Sequence, residues 1–304
     1  MEVPDLVRQR AESEGAAGRR WLDGLPAVVA ALADRWGLTV GRPFAGGTAG
    51  YVAEAVDAAG RACVLKVWMP FFDDVSSYEL SVVVHELAGG QGCARLLDHD
   101  GAAHAMLLER LGPDLHALEV PIPELLDIVA DTLRTFWRPL DHAHGLPTGA
   151  AKAAWLAGYI TTSWEELGEP CPRAVVDRAL AYCDERAAAF DPARSVLVHG
   201  DAHGWNTLDA GDGTYKFVDP EGIWSEPAHD LSVAMREYNR PLLAGDTPVL
   251  VRARAERLAS RCDVDPEAVW QWGFVERVST GLANVRHFAD GEGAAFLEVA
   301  TRCL

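Results

Sequence analysis

Two carboxylates and one amide lie close together in the sequence, in polar loops that follow two short apolar strands. Asp201 and Asn206 lie five residues apart after the apolar run 196–198, and Asp219 follows a second run, 215–218. Phosphoryl transfer uses such a set, because one Asp orients the attacking hydroxyl and accepts its proton, while an Asn and a second Asp hold magnesium. The alternative is a pair of ordinary turns, which are also rich in Asp and Gly. The order and spacing of the three side chains favour the phosphoryl-transfer site.

A glycine-rich turn and a lysine within an apolar strand precede this set. The turn, Gly-Gly-Thr-Ala-Gly at 46–50, joins two predicted strands, and its glycines allow the backbone to approach a phosphate closely. Lys66 is the one cation in the apolar run 64–67, and burying a lysine is costly unless it is paired. A kinase pairs it with nucleotide phosphates and a helix glutamate. A lysine extending from an edge strand into solvent is the alternative.

Composition is typical of a soluble intracellular enzyme. The 304 residues are 49% apolar, enough for a large core, and the six cysteines occur without any Cys-x-x-Cys pair. No apolar run is long enough to cross a bilayer, so we expect no membrane segment and a cytoplasmic location. A formal net charge of −18 argues against nucleic-acid binding and is compatible with a cationic substrate.

The motifs resemble those of the aminoglycoside phosphotransferase family, a branch of the protein-kinase-like fold. His-Gly-Asp-Ala-His-Gly-Trp-Asn at 199–206 is similar to the catalytic loop of that family, and Asp-Pro-Glu-Gly at 219–222 is similar to its metal-binding segment. Residues 21–38 resemble the N-terminal region of its streptomycin kinase and hydroxyurea kinase group. The resemblance covers nearly the whole chain.

This resemblance implies an α+β, protein-kinase-like fold of two lobes. A small, mainly β N-lobe would span 1–110 and a larger, α-rich C-lobe 111–304. The sequence itself predicts a helix over 26–36, strands over 39–45, 51–57 and 62–68, and a helix over 266–287 that is capped by Asp265. It also predicts a helix over 122–142 and another over 229–239.

The resemblance further implies which residues bind ATP and Mg²⁺. Asp201 would act as the catalytic base, and Asn206 and Asp219 would bind the metal. The residues predicted to contact the nucleotide are Gly46, Gly47, Thr48, Gly50, Lys66, Glu79, Glu109 and Leu111. Among them, Glu79 is preferred to Glu86 as the partner of Lys66, and Glu109 and Leu111 would offer hinge backbone to the adenine.

Three further polar residues near the motifs are assigned expected roles. His199 ends an apolar strand, so we predict that it braces the catalytic loop rather than transfers protons. Asp230 resembles an Asp of the family that supports the metal-binding loop. Glu221 either faces the substrate or a metal-bound water, or lies on the surface.

We therefore predict an ATP-dependent O-phosphotransferase that acts on a hydroxyl of a small molecule, first of all an aminoglycoside of the streptomycin type. The alternatives are a kinase of hydroxyurea or another small metabolite, a catalytically inactive nucleotide-binding regulatory protein and, more weakly, a protein kinase. The expected partners are a small-molecule substrate and neither nucleic acid nor membrane, in a monomer or homodimer.

Overall fold

A computed structural model describes residues 1–45, 50–70, 78–288 and 291–304. The chain divides into two compact units, Met1–Gly112 and Pro113–Leu304. The first combines a β-sheet with helices and the second is mainly helical, which confirms the α+β class. The assignment of 1–110 and 111–304 as functional lobes stays a prediction.

The described part of the first unit contains one antiparallel sheet with strand order β1-β2-β3-β5-β4. Its strand β3 lies between two neighbours, so a side chain on β3 is not at an edge. The elements are α1 Asp5–Ser13, α2 Gly15–Trp36, β1 Thr39–Pro43, β2 Gly50–Val56, β3 Ala62–Trp68, α3 Tyr78–Ala88, β4 Leu96–Asp100 and β5 Ala105–Glu109.

Helices cover both faces of this sheet. Alternate residues of a strand face opposite sides. On one side, Leu65 and Val67 pack with residues of α2, and on the other, Val64 and Trp68 pack with residues of α3. Lys66 therefore lies on the side of the sheet that α3 covers.

The helix predicted over 26–36 begins earlier than the sequence suggested. It extends from Gly15 to Trp36 with Pro26 inside it. A proline usually interrupts a helix, but here the preceding turns are packed: Trp21 and Leu22 contact a cluster built on Val7 and Met69. Tertiary packing therefore outweighs the local signal of the proline.

The second unit is built from eight α-helices among its described residues, with one short 3-10 helix at Pro192–Arg194 and two short antiparallel strand pairs. The strands β6 and β9 pair with each other, as do β7 and β8. The elements are α4 Ile122–Phe136, α5 Gly149–Glu166, α6 Arg173–Ala188, β6 Val196–Val198, β7 Thr207–Gly211, β8 Thr214–Phe217, β9 Ile223–Ser225, α7 Ala228–Arg236, α8 Asn239–Leu243, α9 Thr247–Cys262, α10 Pro266–His287 and α11 Glu292–Arg302.

Helix α10 forms the centre of this unit and has the predicted bounds. The side chain of Asp265 accepts a hydrogen bond from the backbone N–H of Glu267 at 3.0 Å, so the predicted cap is also confirmed. Most residues of α10 are buried, which is typical of a helix surrounded by others. A Cβ at Gly273 would lie 1.8 Å from Cε of Met235, so the glycine lets α7 approach α10 closely.

Two helices of this unit end before their predicted limits. Helix α4 stops at Phe136 because Trp137 is extended, two residues ahead of Pro139. Helix α7 stops at Arg236, where Glu237 is extended and Tyr238 has a φ of 58°. Among the described residues, no helix combines the length and apolarity that a membrane span requires.

Candidate active site

The loop that carries Asp201 is fixed by a buried carboxylate from α7. After β6 ends, the backbone N–H groups of His199 and Gly200 donate to the two oxygens of Asp230 at 2.8 and 2.7 Å. The indole N–H of Trp137 also donates to this carboxylate, at 2.8 Å. Gly200 has a φ of 87°, a conformation that strongly favours glycine. Asp230 thus supports the loop before Asp201, whereas the resemblance implied support of the metal-binding loop.

His199 connects the catalytic loop to the segment before Asp219. Its Nδ1 accepts from the N–H of Asp201 at 3.2 Å, which leaves the proton on Nε2, and Nε2 donates to the carbonyl of Val218 at 3.1 Å. Burial lowers the pKa of the imidazole, which is fully enclosed and therefore neutral at pH 7. The predicted bracing role is confirmed, because both ring nitrogens hold backbone groups.

Both carboxylate oxygens of Asp201 have polar partners. Oδ1 accepts from Nη2 of Arg236 at 3.1 Å, and Oδ2 lies 3.2 Å from Nδ2 of Asn206 and from Nε2 of His203. Burial raises the pKa of this carboxyl, but His203 and Arg236 outweigh burial and hold the pKa well below its usual value. The side chain keeps 32% exposure. Asp201 is thus an ionised, oriented and accessible carboxylate.

The two predicted metal ligands are joined to the same loop. Asn206 donates through Nδ2 to the backbone carbonyl of Asp201 at 3.0 Å as well as to its carboxylate, so the amide oxygen is the atom available to a cation. The N–H of Val218 donates to the carbonyl of Asn206 at 2.9 Å, which places the next residue, Asp219, beside this loop. Asp219 is exposed and has a φ of 57°, an uncommon conformation that clusters at functional sites.

Sequence reasoning missed Arg236, the last residue of α7. Its guanidinium lies within hydrogen-bond distance of three carboxylates: Asp201 at 3.1 Å, Glu237 at 3.2 Å and Glu276 at 2.7 Å. Burial lowers the pKa of Arg236, but Glu276 and the other carboxylates raise it overall. The buried Arg277 of α10 donates to the carbonyl of Arg236 at 2.8 Å and so holds this end of α7 in place.

The buried Lys152 of α5 pairs with a carboxylate of the metal-binding segment. Its Nζ lies 3.0 Å from Oε2 of Glu221, and this carboxylate packs against Gly200. Burial raises the pKa of Glu221 and Lys152 opposes it, with a net rise. Glu276 differs: burial raises its pKa, but the hydrogen bond with His229 and the charge of Arg236 lower it to about 2. Glu221 is thus a half-buried partner of Lys152 rather than a surface residue.

The lysine predicted to contact nucleotide lies in the first unit. Lys66 is 5% exposed on the inner strand β3, so the alternative of an edge-strand lysine is wrong. Its Nζ stands 4.1 Å from the ring centroid of Trp68. Glu79 lies on α3, which covers the same side of the sheet, and its Oε1 is 3.8 Å from Nε2 of His104. The choice of Glu79 over Glu86 stays a prediction.

The other predicted nucleotide contacts are divided between described and undescribed residues. Gly46, Gly47 and Thr48 lie outside the described residues. Gly50 begins β2, where a Cβ would stand 2.3 Å from the carbonyl oxygen of Val67, so this glycine allows the strands to approach. The two predicted hinge residues, Glu109 and Leu111, follow one another closely: Glu109 ends β5 and donates its N–H to the carbonyl of Arg95 at 2.9 Å, and Leu111 is buried.

Comparison with known proteins gives matches along most of the chain. The aminoglycoside/hydroxyurea antibiotic resistance kinase family matches residues 35–291. A streptomycin 6-kinase of Streptomyces griseus is 29% identical over 292 residues, which cover 94% of this chain and 91% of that protein. A hydroxyurea phosphotransferase of Kitasatospora aureofaciens is 32% identical over 300 residues, 97% of this chain and 82% of that protein.

Solved structures share the fold at low sequence identity. A thermostable mutant of aminoglycoside phosphotransferase APH(4)-Ia, in complex with AMP-PNP and hygromycin B, has a TM-score of 0.59 and 18% identity over 90% of this chain and 94% of that chain. Choline kinase LicA from Streptococcus pneumoniae has a TM-score of 0.59 and 13% identity over 92% and 98%. The predicted protein-kinase-like fold is confirmed. With a family match over most of its length and a relative at 32% identity, the chain belongs to the aminoglycoside/hydroxyurea antibiotic resistance kinase family.

Proposed function

We propose that the protein transfers the γ-phosphoryl group of ATP to a hydroxyl of a streptomycin-type aminoglycoside, in the cytoplasm. The observation that carries this proposal is the ionised carboxylate of Asp201, held by Arg236, Asn206 and His203 yet accessible. Family membership supports the reaction class. An inactive regulatory protein is less consistent with this site, because binding a nucleotide alone does not require an oriented base.

In the proposed reaction, Asp201 accepts a hydrogen bond from the acceptor hydroxyl and orients its oxygen toward the γ-phosphorus. The new O–P bond forms as the bond from the γ-phosphorus to the bridging oxygen of ADP breaks, and the hydroxyl proton passes to Asp201. Because the pKa of Asp201 is lowered, this carboxylate is a weak base before reaction. Its main contribution is therefore to fix the hydroxyl in place, and it takes the proton late.

The donor set around Asn206 fits magnesium. Magnesium prefers oxygen ligands, and the carboxylate of Asp219 and the amide oxygen of Asn206 are such donors. Asn206 is held for this task because its nitrogen is engaged by Asp201. When bound, the ion neutralises phosphate charge. Lys66 is proposed to bind the α- and β-phosphates from the first unit, with Gly46, Gly47, Thr48, Gly50 and Glu79 around them and the backbone of Glu109 and Leu111 at the adenine.

Carboxylates at the site can attract a cationic acceptor. Five carboxylates lie on the catalytic and metal-binding loops or beside the end of α7, namely Asp201, Asp219, Glu221, Glu237 and Glu276. Four basic side chains lie at the same loops and helix end, namely Lys152, Arg236, Arg254 and Arg277. Relatives named streptomycin 6-kinase from two Streptomyces species support the same choice. Streptomycin carries two guanidinium groups, which these carboxylates can attract.

Hydroxyurea is the second candidate, because the hydroxyurea phosphotransferase is 32% identical to this chain. A neutral acceptor of this size gains almost nothing from the carboxylates at the site. The two candidates therefore differ in how their rates depend on salt.

A coupled ADP-release assay with magnesium-ATP, streptomycin and hydroxyurea tests the proposal. Exposed charges are screened over about 10 Å at 0.1 M ionic strength. We expect streptomycin to be phosphorylated with a kcat/KM that falls several-fold from low to high salt, since screening weakens charge-steered association. Turnover of hydroxyurea with none on any aminoglycoside would contradict the first choice and support the second.

A further inference from the structure

A tryptophan within the catalytic loop has an open aromatic face. Trp205 directly precedes Asn206 and is 54% exposed, which is unusual for so large an apolar side chain. One face of its indole stacks on the imidazole of His116, with 3.7 Å between ring centroids and 22° between ring planes. With that face covered, the exposure belongs mainly to the opposite face, called here the outer face of Trp205.

The ring beneath Trp205 is held in place. Nε2 of His116 lies 3.1 Å from the hydroxyl of Tyr238, and the backbone N–H of His116 donates to the carboxylate of Asp114 at 2.9 Å. A Cβ at Gly204 would lie 2.8 Å from Nε2 of His116, so the glycine allows the loop to pack onto this ring. Trp205 is therefore presented in one orientation on a supported ring, at low further cost in conformational entropy on binding.

Three carboxylates and two basic groups lie near the stacked rings. Burial lowers the pKa of His116, so its imidazole is neutral near pH 7 and supplies no cation to the indole. The carboxylates of Asp114 and Glu237 and the imidazole of His203 are close enough to influence that pKa. The ring centroid of His203 lies 5.8 Å from that of Trp205, and although burial lowers the pKa of His203, the charge of Asp201 raises it overall. Asp201, four residues before Trp205 in the same loop, adds a third negative charge. Arg236 is itself engaged by carboxylates.

We propose that the outer face of Trp205 binds a planar cationic group of the acceptor, a guanidinium, by stacking. A guanidinium stacks on an aromatic face better than an ammonium does, because it is planar and weakly hydrated. This inference rests on the proposed function, and it names the chemical group by which the site selects its substrate. The outer face of Trp205 would then serve as a platform for the acceptor. The reacting hydroxyl of the same molecule would lie at Asp201, at a distance from the platform that one acceptor molecule can span.

The test compares Trp205→Ala and Trp205→Phe with the wild type, using streptomycin as the acceptor. We expect Trp205→Ala to raise the KM for streptomycin by about 2- to 30-fold, the range of one cation–π contact, and Trp205→Phe to raise it less. The KM for ATP should stay unchanged. Phe288→Ala, which removes an aromatic ring that is 60% exposed at the end of α10, is the matched control and should change neither constant.

Three outcomes would overturn the platform: an unchanged KM for streptomycin, a rise in the KM for ATP instead, or a fall in kcat alone, which would indicate that Trp205 only positions Asn206. Calorimetric titration with streptomycin in the absence of ATP separates this inference from the proposed function. A wild type that binds streptomycin without phosphorylating it would refute the function, and the Kd of Trp205→Ala would still test the platform. No binding by the wild type would overturn the platform as well.

Discussion

Arg236 is predicted to position Asp201, and replacing Arg236 tests how the catalytic carboxylate is held. In Arg236→Gln, Oδ1 of Asp201 loses its charged partner at 3.1 Å while Oδ2 keeps Asn206 and His203. A hydrogen bond between charged groups contributes about 1.5–3 kcal/mol. If that energy holds Asp201 in its productive orientation, its loss lowers kcat by about 10- to 150-fold. The KM for ATP should stay the same, because Lys66 and Asp219 are untouched.

The pH dependence gives this prediction a second readout. Burial continues to raise the pKa of Asp201 in the variant, and only the histidines remain to lower it. The folded-state pKa of Asp201 therefore rises toward its usual value. Because only the ionised carboxylate orients the hydroxyl, activity relative to the wild type should hold steady from about pH 7 to about 5 and fall further from about pH 5 to about 4, where an aspartate with an ordinary pKa begins to be protonated.

Steady-state kinetics over this pH range provide the assay, with thermal unfolding measured in parallel. Arg261→Gln is the matched control, since Arg261 pairs with Asp131 on an exposed surface and should leave kcat unchanged. A kcat of Arg236→Gln within twofold of the wild type at every pH would refute the positioning role. A defect confined to the KM for ATP would refute it equally.

Three further predictions concern neighbouring groups. Asp219→Asn should weaken binding of magnesium-ATP in calorimetric titration while leaving magnesium-free ATP binding unchanged, and equal loss in both would exclude a metal ligand. Lys66→Met should raise the KM for ATP and lower kcat, with a milder effect in Glu79→Gln and little effect in Glu86→Gln. If Glu86→Gln alone raised the KM for ATP and lowered kcat as Lys66→Met does, the partner of Lys66 would be Glu86 instead of Glu79. The pKa of Glu276 is lowered to about 2 in the folded protein, from about 4.5 in the unfolded chain. The ionised carboxylate therefore contributes about 3 kcal/mol to the free energy of unfolding above pH 4.5, and this contribution is lost as the pH falls through the folded-state pKa. Denaturant unfolding between about pH 6 and 2 should show this loss in the wild type and a flatter curve in Glu276→Gln; identical slopes would contradict it.

The motifs of the catalytic and metal-binding loops were predictable because they are local in sequence. Asp201 and Asn206 are separated by one loop, and the N-cap of Asp265 depends on the next two residues only. The apolar, β-rich run 62–68 likewise placed Lys66 within a strand of the correct length. Short-range patterns of this kind depend on backbone geometry that adjacent residues set.

The charged partners of the site were not predictable, because they come from distant helices. Arg236 reaches Asp201 across 35 residues and Glu276 across 40, and Lys152 reaches Glu221 across 69. Each is an ordinary polar residue on a helix when the sequence is read alone, and only tertiary packing buries it. The early start of α2 has the same origin, since packing against α1 outweighs the proline at position 26.

A comparison of the wild type with Asp201→Asn in ADP release and in nucleotide binding tests the catalytic role of Asp201. We expect Asp201→Asn to bind magnesium-ATP with unchanged affinity and to lose turnover of streptomycin by about two orders of magnitude or more, because a base and orienting group is removed. Retention of most turnover in Asp201→Asn, with a correctly folded protein, would contradict the assignment of Asp201 as the catalytic residue.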